Sequence, residues 1–423
     1  MITEKLLHFI WQFQYFNKAE LQTEEGENLQ ILKQGNYNLN QGPDFSNGSV
    51  KIDNIILAGN IELHINASDW YKHHHTEDSN YSNVVLHVVW NNDKSVTIAG
   101  KQIPTLVLQG RVAKTLLQRY ELLLNETTSI PCTSFLPALS EIGWMSWKER
   151  LAVERLEQKS KYILALFEES NHHWEEVFWW IIARNFGIKV NADCFESIAK
   201  TISINILAKH KHQIHQLEAL LLGQANLLNE NFEEDYPQML QKEYKFYQYK
   251  YKIEEATIKP VFLRMRPAAF PTIRLAQLAM LVHDSSHLFS KIKDIEDVKE
   301  VKQLLNVTAN DYWHYHYQLD VATEYKPKNL GKQMIDNIII NTIVPILFAY
   351  GFFNKEQQYK DKAISWLQQI TAEENTITKH WKQVNIQNSN AFDSQSLIHL
   401  TKEYCSKRNC LQCAIGNKIM KIV

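Results

Sequence analysis

The spacing of hydrophobic positions changes near residue 125. Residues 3–16 carry Leu6, Leu7, Phe9, Ile10 and Phe13 at helical intervals, a wide apolar face that predicts an amphipathic helix. The period then drops to two, which predicts short strands at 28–33, 44–52, 55–65 and 84–90. Residues 68–76 read as a short helix or loop with Ser68 as N-cap. Residues 95–99 and 105–108 read as a hairpin turning around Gly100. From residue 144 helical periods dominate, with segments expected at 147–169, 174–185, 213–228, 271–289, 335–350 and 363–369. Between the two regimes lies a stretch with Pro131, Pro137 and several Ser and Thr residues, the composition of a linker. The expected fold is therefore α+β. It has a small mixed-sheet domain (1–125), a linker (126–143) and a large, mainly helical domain (144–423).

A chain of 423 residues fits two or three domains at ~150 residues each. Its 45 Lys and Arg nearly balance 47 Asp and Glu, so charge neither advertises nor excludes nucleic acid. The apolar run 338–353 is interrupted by Asn341 and Pro345 and falls short of the ~20 residues of a membrane span. It reads as a buried core helix, with no membrane expected. Five cysteines, three of them near the C-terminus, do not form a secreted disulfide framework, and a cytoplasmic protein is expected. Glycine-rich phosphate loops, GxGxxG, GxSxG and HExxH are all missing. That argues against P-loop ATPases, dinucleotide dehydrogenases, α/β-hydrolases and zincins.

The chemistry concentrates between Gly42 and Asp93. In Asn60-Ile61-Glu62-Leu63-His64-Ile65-Asn66 the alternation is strict, so Glu62 and His64 share one strand face while Ile61, Leu63 and Ile65 share the other. Asp44 follows a Gly-Pro turn at the mouth of the preceding strand. Asp69, the run His73-His74-His75, Asp78 and His87 follow downstream. Asp44 and Glu62, at neighbouring strand ends, suit a hard cation such as Mg²⁺ or Mn²⁺. Such an ion activates water and neutralises a phosphoryl oxygen. His64 is then placed to orient that water, with Asp69, His75 and His87 as supporting groups. Blander readings stand beside these: Asp44 as a turn residue, Glu62 and His64 as a cross-strand pair, His87 as a core histidine, and 73–75 as an exposed loop.

Pro43-Asp44 followed by Glu62-x-His64 resembles the PD-(D/E)xK nuclease core, which also runs helix, three strands, helix, strand. The resemblance implies metal binding by Asp44 and Glu62 and phosphodiester hydrolysis of nucleic acid. Position 64 departs from the pattern, with His where the motif has Lys, and histidine is largely neutral at pH 7. Two other readings stay open: a helical scaffold with a degenerate site, and a Zn²⁺ hydrolase built on His64, His73 or His75, and His87. Over nearly its whole length the chain resembles a bacterial family known only as domain of unknown function family 2851. The resemblance lies in Ile10-Trp11-Gln12-Phe13, Gly42-Pro43-Asp44-Phe45, Glu62-Leu63-His64, Ser68-Asp69-Trp70-Tyr71, Leu86-His87-Val88-Val89, the stretch Arg266 to Pro271 and the C-terminal cysteines.

Cys405-x4-Cys410-x2-Cys413 puts three thiols within nine residues, dense enough to hold Zn²⁺ or an iron–sulfur cluster. His399, Cys132 and Cys194 are candidates for a fourth ligand. A distant cysteine joining such a trio resembles the cluster staple of some nucleases of the superfamily named above. Arg264, Arg266 and Arg274 flank Pro267 and Pro271, a candidate anion site at a helix start. The run Tyr312 to His316 suits either base stacking or packing.

Overall fold

The computed structural model describes residues 2–38, 40–254, 258–263, 265–285 and 287–421. Arg264 lies outside these described residues. The architecture is mixed α+β, with a curled half-barrel sheet followed by a large helical region. Two compact units divide the chain: Met1–Trp147 with Leu400–Val423, and Lys148–His399. The segment carrying Cys405, Cys410 and Cys413 thus clusters with the sheet.

In the sheet unit, α1 (Glu4–Gln12) is capped by Thr3, whose hydroxyl accepts from the Leu6 N–H, and it buries Leu6, Leu7, Phe9, Ile10 and Trp11. The strands are β1 (Leu29–Lys33), β2 (Asn36–Tyr37), β3 (Phe45–Ile52) and β4 (Ile55–Asn66). After the one-turn helix α2 (Asp69–Lys72) come β5 (Val84–Asn91), β6 (Thr97–Ile98), β7 (Lys101–Gln102) and β8 (Thr105–Val107). The main sheet runs β1-β3-β4-β5-β8, with β2 also paired to β3. The β1–β3 and β3–β4 pairs are antiparallel, and the β4–β5 and β5–β8 pairs are parallel. Two sequence expectations need correction here. Residues 97–98 turn around Gly100 onto 101–102, while 105–107 leave the hairpin and join β5 in parallel. Ser68 does not cap α2; its hydroxyl donates to Asp93 Oδ2 at 2.6 Å. The polar face of β4 is covered rather than solvated: Ile61, Glu62, Leu63 and His64 are all buried. Strands buried on both faces are what parallel pairing in a sheet centre produces.

After α3 (Lys114–Asn125) of the sheet unit and the long α4 (Glu141–Glu169), the helical unit continues with α5 (Trp174–Phe186), α6 (Ile188–Thr201), α7 (Ile204–His210), α8 (Ile214–Gln224) and α9 (Asp235–Tyr251). The apolar run 338–353 lies in a longer helix, Lys332–Asn354, that passes through a π-helical turn at Ile339–Ile343. That helix is long and apolar enough to cross a bilayer, yet 72% of its most apolar window is buried inside the fold. The 312–316 run packs: Trp313 is fully buried and Tyr312 stacks between Tyr236 and His316.

Glu218 on α8 is fully buried in this core. Its Oε2 accepts from the Tyr236 hydroxyl at 2.8 Å and the Trp313 indole at 2.9 Å. Burial raises its pKa to about 7 against the pull of those two donors. A raised carboxyl pKa favours the fold fully below the unfolded value, and that contribution is lost as pH rises through about 7. Glu218→Leu, which strands both donors, is expected to cost about 2–4 kcal/mol. Glu218→Gln keeps the acceptor and is expected to gain on the wild type as pH rises from 6 to 8. Thermal melts at the two pH values read both effects.

Candidate metal centre

Strand alternation puts Glu62 and His64 on one face of β4, and the parallel register sets His87 of β5 opposite Glu62. The remaining groups come from the turn that ends α2. His74 takes a left-handed conformation (φ 59°). Its N–H donates to Tyr71 O at 3.2 Å, and the next N–H, of His75, donates to Trp70 O at 3.2 Å. These paired bonds are a Schellman motif, normally closed by glycine. A histidine held there carries strain of about 1 kcal/mol or more. The reversal brings His73 and His75 to the same side, over the Glu62–His64 face.

The ligand atoms of His64, His73 and His75 all lie within 4.8 Å of one another. His64 Nε2 stands 3.2 Å from His73 Nδ1 and 3.7 Å from Glu62 Oε1. His75 Nε2 lies 3.3 Å from the same Glu62 oxygen, is buried and makes no hydrogen bond. Donors about 2.0–2.2 Å from one tetrahedral ion stand roughly 3.3–3.5 Å apart, so these separations have the dimensions of a zinc site. Glu62 presents only one oxygen to the cluster, because Oε2 accepts from the Asp44 N–H at 2.9 Å. Behind His64, its Nδ1 meets His87 Nε2 at 2.9 Å. With Nε2 turned to the cluster, Nδ1 carries the proton and donates to His87, which fixes the ring as an outer partner of a metal ligand does. Trp70 packs edge-on against His64, His75 and His87, and Tyr81 stacks on His75 at 3.8 Å.

Burial, then the neighbouring rings, pushes the pKa of His64 far below its ordinary value, and burial holds His87 down to about 3. Both rings are neutral at pH 7, the form that offers a lone pair. Burial, reinforced by Asp44, raises Glu62 to about 9, so without a cation its carboxyl keeps a proton at pH 7.

Asp44 is less free than its sequence position suggests. Its Oδ2 accepts from the Leu63 N–H at 3.0 Å and meets His8 Nε2 of α1 at 3.1 Å. The Asp44 N–H thus donates to the Glu62 carboxylate, while the Asp44 carboxylate accepts from Leu63, the next residue along β4. Asp69 accepts from the Asn66 N–H at 3.0 Å and pairs with Lys72, at the start of α2 and outside the donor cluster. His73, read from sequence as part of an exposed loop, is exposed and also supplies a donor atom. His8 carried no signal in the sequence.

At the C-terminus, Cys132 joins the trio: Cys132, Cys405, Cys410 and Cys413 lie within reach of one another's charge in every pairing. Cys194 instead donates to Ile258 O at 3.2 Å, and His399 Nε2 meets Glu154 at 3.5 Å, both in the helical unit. Two of the arginines flanking Pro267 and Pro271 lie among the described residues. Arg266 is exposed, whereas Arg274 lines a cavity of about 750 Å³ with Lys159, Arg184, Lys189 and Asn341.

No curated protein and no solved structure gives a significant match to this chain. A family model does, over residues 4–376, and that span carries Asp44, Glu62, His64, His73, His75 and His87. The chain belongs to the family described as protein of unknown function (DUF2851).

Proposed function

We propose that the sheet unit is a metal-dependent phosphodiester hydrolase whose ion is held by His64, His73 and His75, with Glu62 beside it. The observation that carries this reading is the convergence of three imidazole nitrogens within 4.8 Å of one another, with a Glu62 carboxylate oxygen 3.7 Å from His64 and 3.3 Å from His75. Neutral rings, a buried His75 nitrogen without a hydrogen bond and an oriented His64 are the properties a zinc site needs. His64, His73 and His75 would hold the zinc ion, which would supply Lewis-acid polarisation of a phosphoryl oxygen and a lowered pKa for water at the site. Glu62 Oε1, at the edge of the cluster, is placed to take the proton from that water. Exposed His73 marks the side from which substrate enters, and Trp70 excludes water from the other.

Phosphodiesters are the proposed substrate class because of the order helix, three main strands, short helix, parallel strand, with Asp44 and Glu62 meeting between β3 and β4. The same observation favours a second reading, in which Asp44 and Glu62 hold Mg²⁺ or Mn²⁺ as in PD-(D/E)xK nucleases. The full-length protein, assayed on an activated phosphodiester and on labelled single- and double-stranded DNA and RNA, separates the two. Zinc-dependent cleavage lost in both His73→Ala and Glu62→Gln supports the histidine centre. Cleavage with Mg²⁺ that survives His73→Ala but not Asp44→Asn supports the carboxylate pair. A folded, zinc-loaded protein that cleaves nothing overturns the hydrolase reading and leaves an interaction scaffold.

Proton linkage gives an independent expectation. Glu62 holds its proton up to about pH 9 without an ion, while His64 and His87 have none to give at pH 7. Zinc binding at pH 7 is therefore expected to release about one proton, and zinc affinity to climb as pH rises toward 9. Calorimetry in two buffers of different ionisation enthalpy measures the release; Glu62→Gln should abolish it.

A further inference from the structure

We propose that Cys132, Cys405, Cys410 and Cys413 form a four-thiolate iron–sulfur centre in the unit built from the two ends of the chain. All four are buried and none is in a disulfide. Their grouping brings together a loop before α4 and the C-terminal turns. Arg408 clamps the two segments, donating to the Glu126 and Thr128 carbonyls. Cys410 opens a short 3-10 turn, Cys410–Gln412, and the Cys413 N–H donates back to Cys410 O at 3.2 Å. A side chain at Gly416 would place Cβ 2.0 Å from Cys410 O, so only glycine lets the chain pass this close.

Hydrogen bonding around the sulfurs points the same way. The backbone N–H groups of Ile415 and Gly416 face the Cys413 sulfur as donors. Such donors stabilise a thiolate bound to metal and tune its cluster. Arg408 supplies positive charge near Cys405 and Cys410. Without a metal, four thiols buried together gain little, since each disfavours ionisation of the next. Cys194, the fifth cysteine, is buried in ordinary packing of the helical unit and serves as the internal contrast.

The choice of iron–sulfur over a single zinc rests on spacing. Among the described residues, the side chains drawn together at single-ion spacing are the three histidines. No three of the four thiols meet that 4.8 Å spacing, and a cluster with one iron behind each sulfur suits the wider separation. When a preformed four-iron cluster is transferred to the site, each thiol gives its proton to solvent, forms one iron–sulfur bond and displaces the donor's ligand from that iron, with no change in oxidation state.

Iron and acid-labile sulfide in the full-length protein, purified without oxygen, test the proposal. About four of each per chain, with brown visible absorption, are expected. Cys132→Ser should lower the iron content about tenfold or more, and Cys194→Ser should leave it unchanged, with circular dichroism confirming both folds. The wild-type measurement stands even where Cys132→Ser fails to fold. Zinc on the four thiols, no cluster after anaerobic transfer from a preformed thiolate-ligated four-iron cluster, or full iron in folded Cys132→Ser would each overturn it.

Discussion

Replacing His73 by alanine is expected to weaken zinc binding more than about 100-fold while moving the stability of the zinc-free protein by less than ~0.5 kcal/mol. The contrast arises because His73 offers a donor to the cluster and almost nothing to the fold. Its Nδ1 lies 3.2 Å from His64 Nε2, and its side chain is exposed. The buried rings behave differently. His87→Ala removes the partner that orients His64, at 2.9 Å, and is expected to cost about 10–100-fold in affinity. It also leaves a cavity beneath β4, and so lowers stability by about 2 kcal/mol or more. Competition against a zinc chelator, with melts of the same samples in excess chelator, reads both quantities. An unchanged affinity in His73→Ala would remove it from the donor set.

Gly59→Ala is expected to destabilise the sheet unit by about 3 kcal/mol although it touches no donor. A Cβ there would sit 2.4 Å from the Asn83 carbonyl oxygen and 2.6 Å from Val85 Cγ1. The neighbouring Asn60 N–H donates to that same carbonyl at 2.8 Å, where β4 enters its parallel register with β5. The backbone oxygen cannot move aside without breaking this junction. Three residues later the same strand carries Glu62 opposite His87, so the variant is also expected to lose zinc affinity. At roughly 2–4 °C per kcal/mol for a unit of this size, the melting temperature of the sheet unit should fall by several degrees. Ala58→Ser, at the exposed neighbouring position, should leave it unchanged.

The parts of this arrangement that depend on local periodicity are legible in the sequence. Alternation alone places Glu62 and His64 on one face of β4, and the helical periods mark α4, α5 and the core of Lys332–Asn354. The donor set is legible only in part: His64 with His73 or His75 can be named from sequence, but that both join it, with His87 behind His64 rather than in the set, depends on the fold and on one residue's backbone. His73 and His75 reach the same cluster only because His74 adopts φ 59°, a conformation that sequence associates with glycine. The burial of the Glu62–His64 face is hidden too, since α2 and the turn that ends it cover it from outside the strand. Pro104 ends the apparent second hairpin and leaves 105–107 to pair with β5, a choice that tertiary contact makes. Cys132 and Glu218 mark the same limit. Each is an ordinary residue in its own segment, and each acquires its meaning from groups far away in the chain.

The most direct test of the histidine centre is zinc X-ray absorption on the full-length protein loaded with one equivalent of zinc. The account predicts a first shell of nitrogen and oxygen at about 2.0–2.2 Å, with the outer scattering of imidazole rings and no sulfur. A sulfur shell near ~2.3 Å, or zinc that the protein does not retain, would contradict it.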